Sequence, residues 1–336
     1  MLRGAVHTPI RSIWIERSPH TARRVVKTKR TNFAQDGQWY KGNLHCHTTC
    51  SDGDLPPEII AGEYARRGYD FLAITDHDRY VEHPAYCGDK LLLIPGFELS
   101  APLNEKKGVH LNVYPFGETC DFVSDQRFSV TDPMQTKEFL RRHCKNNLIM
   151  LNHPVWSLLD AQDAEDLEGI TCMEVLNYAS EWLDHLGEAS AFWDAMLRQG
   201  KRWWGVADDD NHNGYVHVSG WPFELQQTDS FGGWVCVKAA QRTPQAILQA
   251  VASGSFYASG GPEIHDFFIE DDWIHIICSP CERIIFTSEK RQVRRKIGTG
   301  ITEFNAPLKG NEAFVRAVCI DRFGRFAYAN PIFLTE

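Results

Sequence analysis

The chain has 336 residues and a formal net charge of -9, a length that allows about two packed domains and an acidic balance that argues against nucleic-acid phosphate as its main partner. Its 43% hydrophobic and 24% charged residues are the balance of a soluble globular protein, and no apolar run approaches the ~20 residues that a bilayer span requires.

Residues 1–38 read as a basic N-terminal extension, in which Arg17, Arg23, Arg24, Lys27, Lys29 and Arg30 form a solvated, poorly ordered arm. The arm lacks the apolar core of a secretory signal. The ten scattered cysteines are therefore expected as reduced thiols and the location as cytoplasmic. Cys278 and Cys281 in CSPC have no second pair to complete a zinc site and count for little as metal ligands.

From Trp39 short apolar runs alternate with helical patterns, the signature of βα units around a mostly parallel sheet. Seven runs follow in order: GNLHCH, FLAITDH, LLLIPGFE, HLNVYPF, LIMLNHP, CMEVLNY and RWWGVADDD. Helices are expected in PPEIIAGEYARRG, DPMQTKEFLRRHCKN and DHLGEASAFWDAMLRQG. The first has prolines in its first turn, apolar positions at Ile59, Ile60, Tyr64 and Ala65, and Gly68 to close it. A further pair, GGWVCVKA and TPQAILQAVASG, leads into FYASGGPEI. The texture then changes, and short alternating segments with turns predict a small antiparallel sandwich. The predicted division is thus 1–38 extension, 39–262 α/β domain and 263–336 all-β sandwich.

In a parallel α/β sheet the C-terminal strand ends share one face, so chemistry should appear just after each run. His45 and His47 end the first run, Asp76 and His77 the second, Glu98 the third, His153 the fifth, Glu174 and Asn177 the sixth, and Asp210 with His212 the seventh. His110 is the exception, since it opens the fourth run. Alternation in an extended segment turns His45 and His47 to one face and Cys46 to the other. Imidazole with carboxylate and no organised thiolate suits Mn, Zn or Fe. Some eight potential ligands exceed the four of a mononuclear zinc site, which points to two or three divalent ions sharing a carboxylate and to hydrolysis as the reaction class. Of the consecutive acids Asp208, Asp209 and Asp210, only the last repeats the shared-face spacing with His212. Glu174 either supports the site or pairs with a nearby base, and Arg79, Tyr257 and Ser259 are candidates to hold an anionic substrate alongside surface or linker roles.

The set NLHCHTTCSDGD, LAITDHD, PGFELSA, NHP and DDDNH resembles the PHP family, the polymerase and histidinol phosphatase domain, over roughly Trp39 to Pro262. The tail resembles the C-terminal sandwich of a two-domain subgroup. The resemblance implies a distorted seven-stranded (β/α)7 barrel and metal-dependent phosphoester hydrolysis. By motif, His45 and His47 would bind one metal and Asp52 and His77 a second, with Glu98 bridging. His110, His153, Asp210 and His212 match the remaining ligands, and Asp76 would orient His77 or its neighbours. Asp52 stands where the polymerase and histidinol-phosphatase branches tend to offer another His, and the DDDNH run is richer in acid than the commoner Ser-Asp-x-His form.

The expectation is a phosphoesterase that uses a metal-bridging hydroxide on a small, anionic phosphorylated metabolite or nucleotide, with Asp210, His153 and His212 as its catalytic residues. Two alternatives stand beside it: hydrolysis of a carbamate, ester or amide on the same centre, and a non-catalytic metal-stabilised binding module. The substrate and the oligomeric state are not legible.

Overall fold

The computed structural model of the chain describes residues 29–83, 88–117, 119–214, 228–290 and 294–335. Most of the basic arm, including Arg17, Arg23, Arg24 and Lys27, lies outside them. Lys29 and Arg30, expected as part of a loose arm, are docked. Lys29 Nζ pairs with Asp266 at 2.5 Å, and Arg30 exchanges backbone hydrogen bonds with Ile269, each 2.8 Å.

Each expected run contains or borders a strand: β1 (Gln38–Asn43), β2 (Phe71–Ile74), β4 (Leu92–Pro95) continuing as β5 (Phe97–Pro102), β6 (Gly108–Pro115), β8 (Asn147–Leu151), β9 (Cys172–Asn177) and β10 (Trp204–Asp208). A two-residue pair, β3 (Arg79–Tyr80) and β7 (Gln126–Arg127), lies outside this set. The fold is α/β, but among the described residues the ladders do not close into the expected barrel. One sheet carries β11 (Trp234–Ala239), β1, β2 and β4 in that order, and a five-stranded sheet runs β10-β9-β8-β6-β5. Nor is the first uniformly parallel, because β1 pairs antiparallel with β11. Single parallel bridges, Cys46 to Asn211 and His77 to Glu98, link the two sheets.

The helices follow local signals. In α1 (Pro57–Arg66) Pro57 occupies the first turn, where no N–H is required. Gly68 follows with φ +74, a left-handed stop. The buried stripe is Ile60, Ala61 and Tyr64. Ile59, expected to be in it, is exposed, because one residue along a helix turns by a quarter of the circumference. Asp132 caps α2 (Pro133–His143) through the amides of Met134 and Gln135. The third predicted helix is shorter than expected, α4 (Ser190–Arg198). It is preceded by an unexpected α3 (Tyr178–Asp184), capped by Asn177. Thr243 caps α5 (Pro244–Ala252). Among the described residues, no helix is long and apolar enough to cross a membrane.

Beyond β12 (Phe256–Ser259) the chain is antiparallel: β13 (Ile264–Glu270), β14 (Trp273–Thr287), β15 (Arg294–Pro307), β16 (Phe314–Ile320) and β17 (Phe326–Phe333). These strands are longer than expected, and they continue the first sheet through β17 and β12. Two separately bonded sheets do not form because β14, at 15 residues, changes partner along its length. Its first half pairs with β13 and its second with β16, while β15 follows both. A core of Ile264, Phe267, Ile276, Ile284, Phe286 and Ala329 fills this region and also takes in Phe33.

Candidate metal centre

The rim of the site is built by chain segments just past the strands. After β1 the chain carries His45 and His47 to one side, where both are fully buried. Cys46 packs on the other side, among Leu55, Ile60 and Leu72. The chain then folds back sharply. Gly53 donates to the Thr48 carbonyl at 2.9 Å and Asp54 to that of His212 at 2.8 Å. A Cβ at Gly53 would stand 2.6 Å from the carbonyl carbon of His47, so this approach requires glycine. Asp76 holds the same turn, accepting from Thr48 N and Thr48 Oγ1 at 2.8 Å each and from Ser51 Oγ at 2.7 Å. It thus positions the segment bearing Asp52 and does not reach the His77 ring.

Glu98 is the hub. Its Oε2 lies 3.3 Å from His45 Nε2, 3.1 Å from His47 Nε2 and 3.1 Å from His77 Nδ1. Its Oε1 lies 3.1 Å from His110 Nδ1 and 3.3 Å from His153 Nε2. His110 reaches this rim because β6 runs antiparallel to both β5 and β8, which brings the start of that strand to the end of its neighbours. The exception in the sequence pattern thereby has a topological cause.

Around this hub the donors fall into groups. His45, His47, Glu98 and Asp210 form one, His47, Asp52, His77 and His212 a second, and His77, Glu98 and His110 a third. Asp210 and His212, expected as a closing pair, face different groups. Asp210 Oδ1 stands 3.1 Å from His45 Nε2 and 3.0 Å from His47 Nε2, whereas His212 Nε2 stands 3.5 Å from Asp52 Oδ2.

The geometry fits cations. Four donors each ~2.0–2.2 Å from one centre stand roughly 3.3–3.6 Å apart in a tetrahedron, close to the spacings of the first group. The two Nε2 atoms of His45 and His47 are 3.1 Å apart. With His45 neutral, as a metal ligand must be, the proton sits on Nδ1 facing Glu174 Oε1 at 2.6 Å and Nε2 carries a lone pair. Buried Glu98 Oε2 has no hydrogen-bond partner despite its three imidazole neighbours. Lone pairs gathered in this way require positive charge between them.

Electrostatics agree. Burial opposes charge on His47, yet the neighbouring Asp210 and Glu98 carboxylates outweigh it and push its pKa up to about 9. Burial is likewise outweighed at Glu98, where the His45 and His110 rings hold the carboxyl well below its usual range. His77, at the half-exposed edge, goes the other way: burial brings it down to about 4. Two residues here also carry left-handed backbone, His153 at φ 26 and Asp210 at φ 54. Such conformations cost on the order of 1–3 kcal/mol each and persist where surroundings over-determine them.

Supporting contacts fix the rings. Glu174, fully buried, accepts from His45 Nδ1, from the amide of His153 and from Asn177 Nδ2. Asn177 Nδ2 also donates to Asp210 Oδ2 at 3.0 Å. Asp209 is structural: it accepts from the Tyr64 hydroxyl and from the amides of Phe231, Gly232 and Gly233. Arg79 stands beside the Asp52 turn, but its Nε pairs with Asp125 at 2.7 Å and its Nη1 donates to the Cys50 carbonyl. Tyr257 is a correction. It packs on Trp39 within the core of the C-terminal strands, since β12 turns that side chain away from the rim. Ser259 is also spent locally, donating to the Pro262 carbonyl.

Three contributors escaped the sequence reading. Asn152 Nδ2 donates to Glu98 Oε1 at 2.8 Å, Ser157 Oγ meets His153 Nδ1 at 3.0 Å, and half-exposed Trp156 sets its ring against His153 at 5.0 Å. All three flank His153 in NHPVWS, so proximity to that motif was the available signal.

The donor motifs resemble those of PHP-type proteins. No family model matches the chain. It is 34% identical over 92 residues to the DNA polymerase/3'-5' exonuclease PolX of Bacillus subtilis, covering 25% of this chain and 16% of that protein. It is 44% identical over 64 residues to the 5'-3' exoribonuclease Rnm of Salmonella typhimurium, covering 17% and 22%. The chain thus spans less than a quarter of either relative. Among solved structures, a two-domain protein of Bacteroides vulgatus, described as containing a predicted PHP-like metal-dependent phosphoesterase, aligns at 13% identity with TM-score 0.46, over 86% of this chain and 92% of that one.

Proposed function

We propose that the chain is a metal-dependent phosphoesterase that cleaves a small phosphorylated metabolite or nucleotide at the rim around Glu98. The observation that carries this reading is one buried carboxylate within 3.3 Å of five imidazoles. Three donor groups around it support two or three ions of the Mn, Zn or Fe class. His45, His47 and Asp210 would hold the first, Asp52, His77 and His212 the second, and His110 with His153 the third, with Glu98 shared. Bound there, divalent ions lower the pKa of coordinated water toward ~7 and polarise the bond to be cleaved. The succession β1, β2, β4–β5, β6, β8, β9, β10, joined by the two bridges, supports reading the scaffold as a distorted seven-stranded barrel.

The chain's own residues supply orientation and proton handling. Glu174 fixes the His45 tautomer so that Nε2 presents its lone pair. Asn177 holds Asp210 against the two rings. His212 donates from Nδ1 to the Asp210 carbonyl at 3.0 Å, which leaves the Nε2 lone pair facing Asp52 for the second ion; His212 or His153 would act as the acid for a departing oxygen only while its Nε2 is protonated and off the metal. The names of the nuclease relatives favour a phosphoester. The net charge of -9 favours a small substrate over a polymer.

Engagement of Arg79 by Asp125 favours a second reading, hydrolysis of a carbamate, ester or amide, since a free phosphate calls for unspent cationic donors. A panel of aryl phosphate, nucleotide phosphoester, ester and carbamate substrates on Mn-loaded protein separates the two. Phosphoester turnover that falls about 100-fold or more in His47→Ala, with the fold intact, is expected from several kcal/mol of metal-derived stabilisation. Unchanged turnover in that variant overturns the assignment. Bound metal with no turnover on any substrate leaves a binding module.

A further inference from the structure

The C-terminal strands bring together three cysteines that the sequence keeps apart. Cys278 and Cys281 lie in β14 and Cys319 in β16. All three are free and buried, and their sulfurs lie within 4.8 Å of one another. An odd separation of three residues would put Cys278 and Cys281 on opposite faces of a regular strand. Here both point inward because the ladder with β15 is interrupted, with register shifts on either side of Cys281. Pro280, which has no N–H to give to a ladder, sits at the break. Inward positions run Ile274, Ile276 and Cys278, then resume at Cys281, Ile284 and Phe286. Cys319 arrives from across the sheet, paired in register with Ile284.

We propose that Cys278, Cys281 and Cys319 form a thiolate site for a zinc-class divalent cation, separate from the centre around Glu98. Zinc–sulfur bonds of ~2.3 Å in a tetrahedron place the sulfurs about 3.8 Å apart, and Cys278 Sγ and Cys281 Sγ are 3.9 Å apart. A cavity of about 370 Å³ lies over Cys281, lined also by Ser279, Thr299, Asp321 and Arg325. Soft thiolates select a borderline or soft ion, whereas the imidazole and carboxylate rim accepts harder ones. The two sites are therefore chemically distinguishable. Bound metal would pin β14 to β16 where the ladder breaks, and its binding would release the thiol protons.

Cobalt titration of the full chain, reduced and stripped with chelator, tests this. Thiolate-to-cobalt charge-transfer absorption in the near ultraviolet is expected to saturate at the amplitude of one thiolate-bound cobalt per chain. It should disappear in Cys319→Ala and Cys281→Ser and persist in His45→Ala and His47→Ala, so a failure at the rim and a failure here read differently. If the cysteine variants fold poorly, alkylation of the wild type serves as a second measurement. Zinc should slow modification of Cys278, Cys281 and Cys319 at least about tenfold relative to Cys120, which is exposed. Absence of the absorption band in wild type with all three thiols reduced, or unprotected alkylation, overturns the proposal and leaves three apolar core residues. Isolation of a Cys278–Cys281 disulfide that forms reversibly while cobalt gives no band overturns it in favour of a redox pair.

Discussion

Replacing Glu174 by Gln tests whether His45 is tuned as a ligand. The carboxylate is fully buried and accepts from His45 Nδ1 at 2.6 Å on one oxygen and from Asn177 at 2.8 Å and the His153 amide on the other. Glutamine keeps the volume but has one acceptor and one donor. With its oxygen left to Asn177 and His153, its NH2 faces His45 Nδ1. The ring proton then moves to Nε2, the atom that faces Glu98 and Asp210. In the flipped rotamer, two buried donors lose their acceptor. A charge-assisted hydrogen bond lost in either way is worth about 1.5–3 kcal/mol, which at about 1.4 kcal/mol per factor of ten is roughly a 10–100-fold loss of metal affinity. Loss of an outer partner of a metal-bound histidine falls in the same range. Calorimetric titration of chelator-stripped protein with Mn measures it, and thermal melting in chelator controls for folding. Affinity within about threefold of wild type, less than 0.7 kcal/mol or so, would refute the argument.

Metal affinity should rise with pH. His47, held at about 9 by Asp210 and Glu98 against burial, carries a proton below that value in the metal-free protein, so binding must expel it. The expected signature is an affinity gain approaching tenfold per pH unit between 6 and 8, with buffer-dependent binding heats; a flat profile contradicts it. Burial raises Asp209 to about 6, against an unfolded value of ~3.9. Its protonated form therefore stabilises the fold below ~4, and that contribution is lost as pH rises through 6. Urea unfolding of wild type relative to Asp209→Asn should shift by up to about 3 kcal/mol against wild type from pH 4 to 7, and no shift refutes the assignment. Gly53→Ala should lower metal affinity at least about tenfold, because its Cβ would stand 2.6 Å from the His47 backbone; unchanged affinity would mean the turn relaxes freely. Tyr257→Phe should leave metal binding and turnover at wild-type levels, and a loss of either would return that residue to the site.

The parts legible in the sequence are those fixed by local chemistry. His45 and His47 share a face by strand alternation, and the ends of the runs carry most of the acids and imidazoles that meet at Glu98. The stop at Gly68 needed only neighbouring residues. What escaped depends on pairing between distant segments. The direction of β6, which brings His110 to the rim, is decided by antiparallel pairing with β5 and β8. The exchange of partners along β14 links the C-terminal strands to the first sheet, and no local signal marks it. Asp210 and His212 share a spacing that suggests one site, yet the left-handed turn at Asp210 sends them to different donor groups. Cys319 joins Cys278 and Cys281 only through the register of β16 on β14, which no CxxC count can show. Tyr257 was misplaced because the sequence marks it as lying near a strand end without saying which way its side chain faces.

The central claim is that the Glu98 carboxylate lies between neighbouring cations. Anomalous diffraction from crystals grown with Mn measures this directly. The account predicts two or three peaks flanking Glu98, each within about 2.3 Å of donors from His45 and His47, from Asp52 and His77, or from His110 and His153. A fully occupied Mn pattern that leaves Glu98 unligated, or no peak at this rim at saturating Mn, would contradict it.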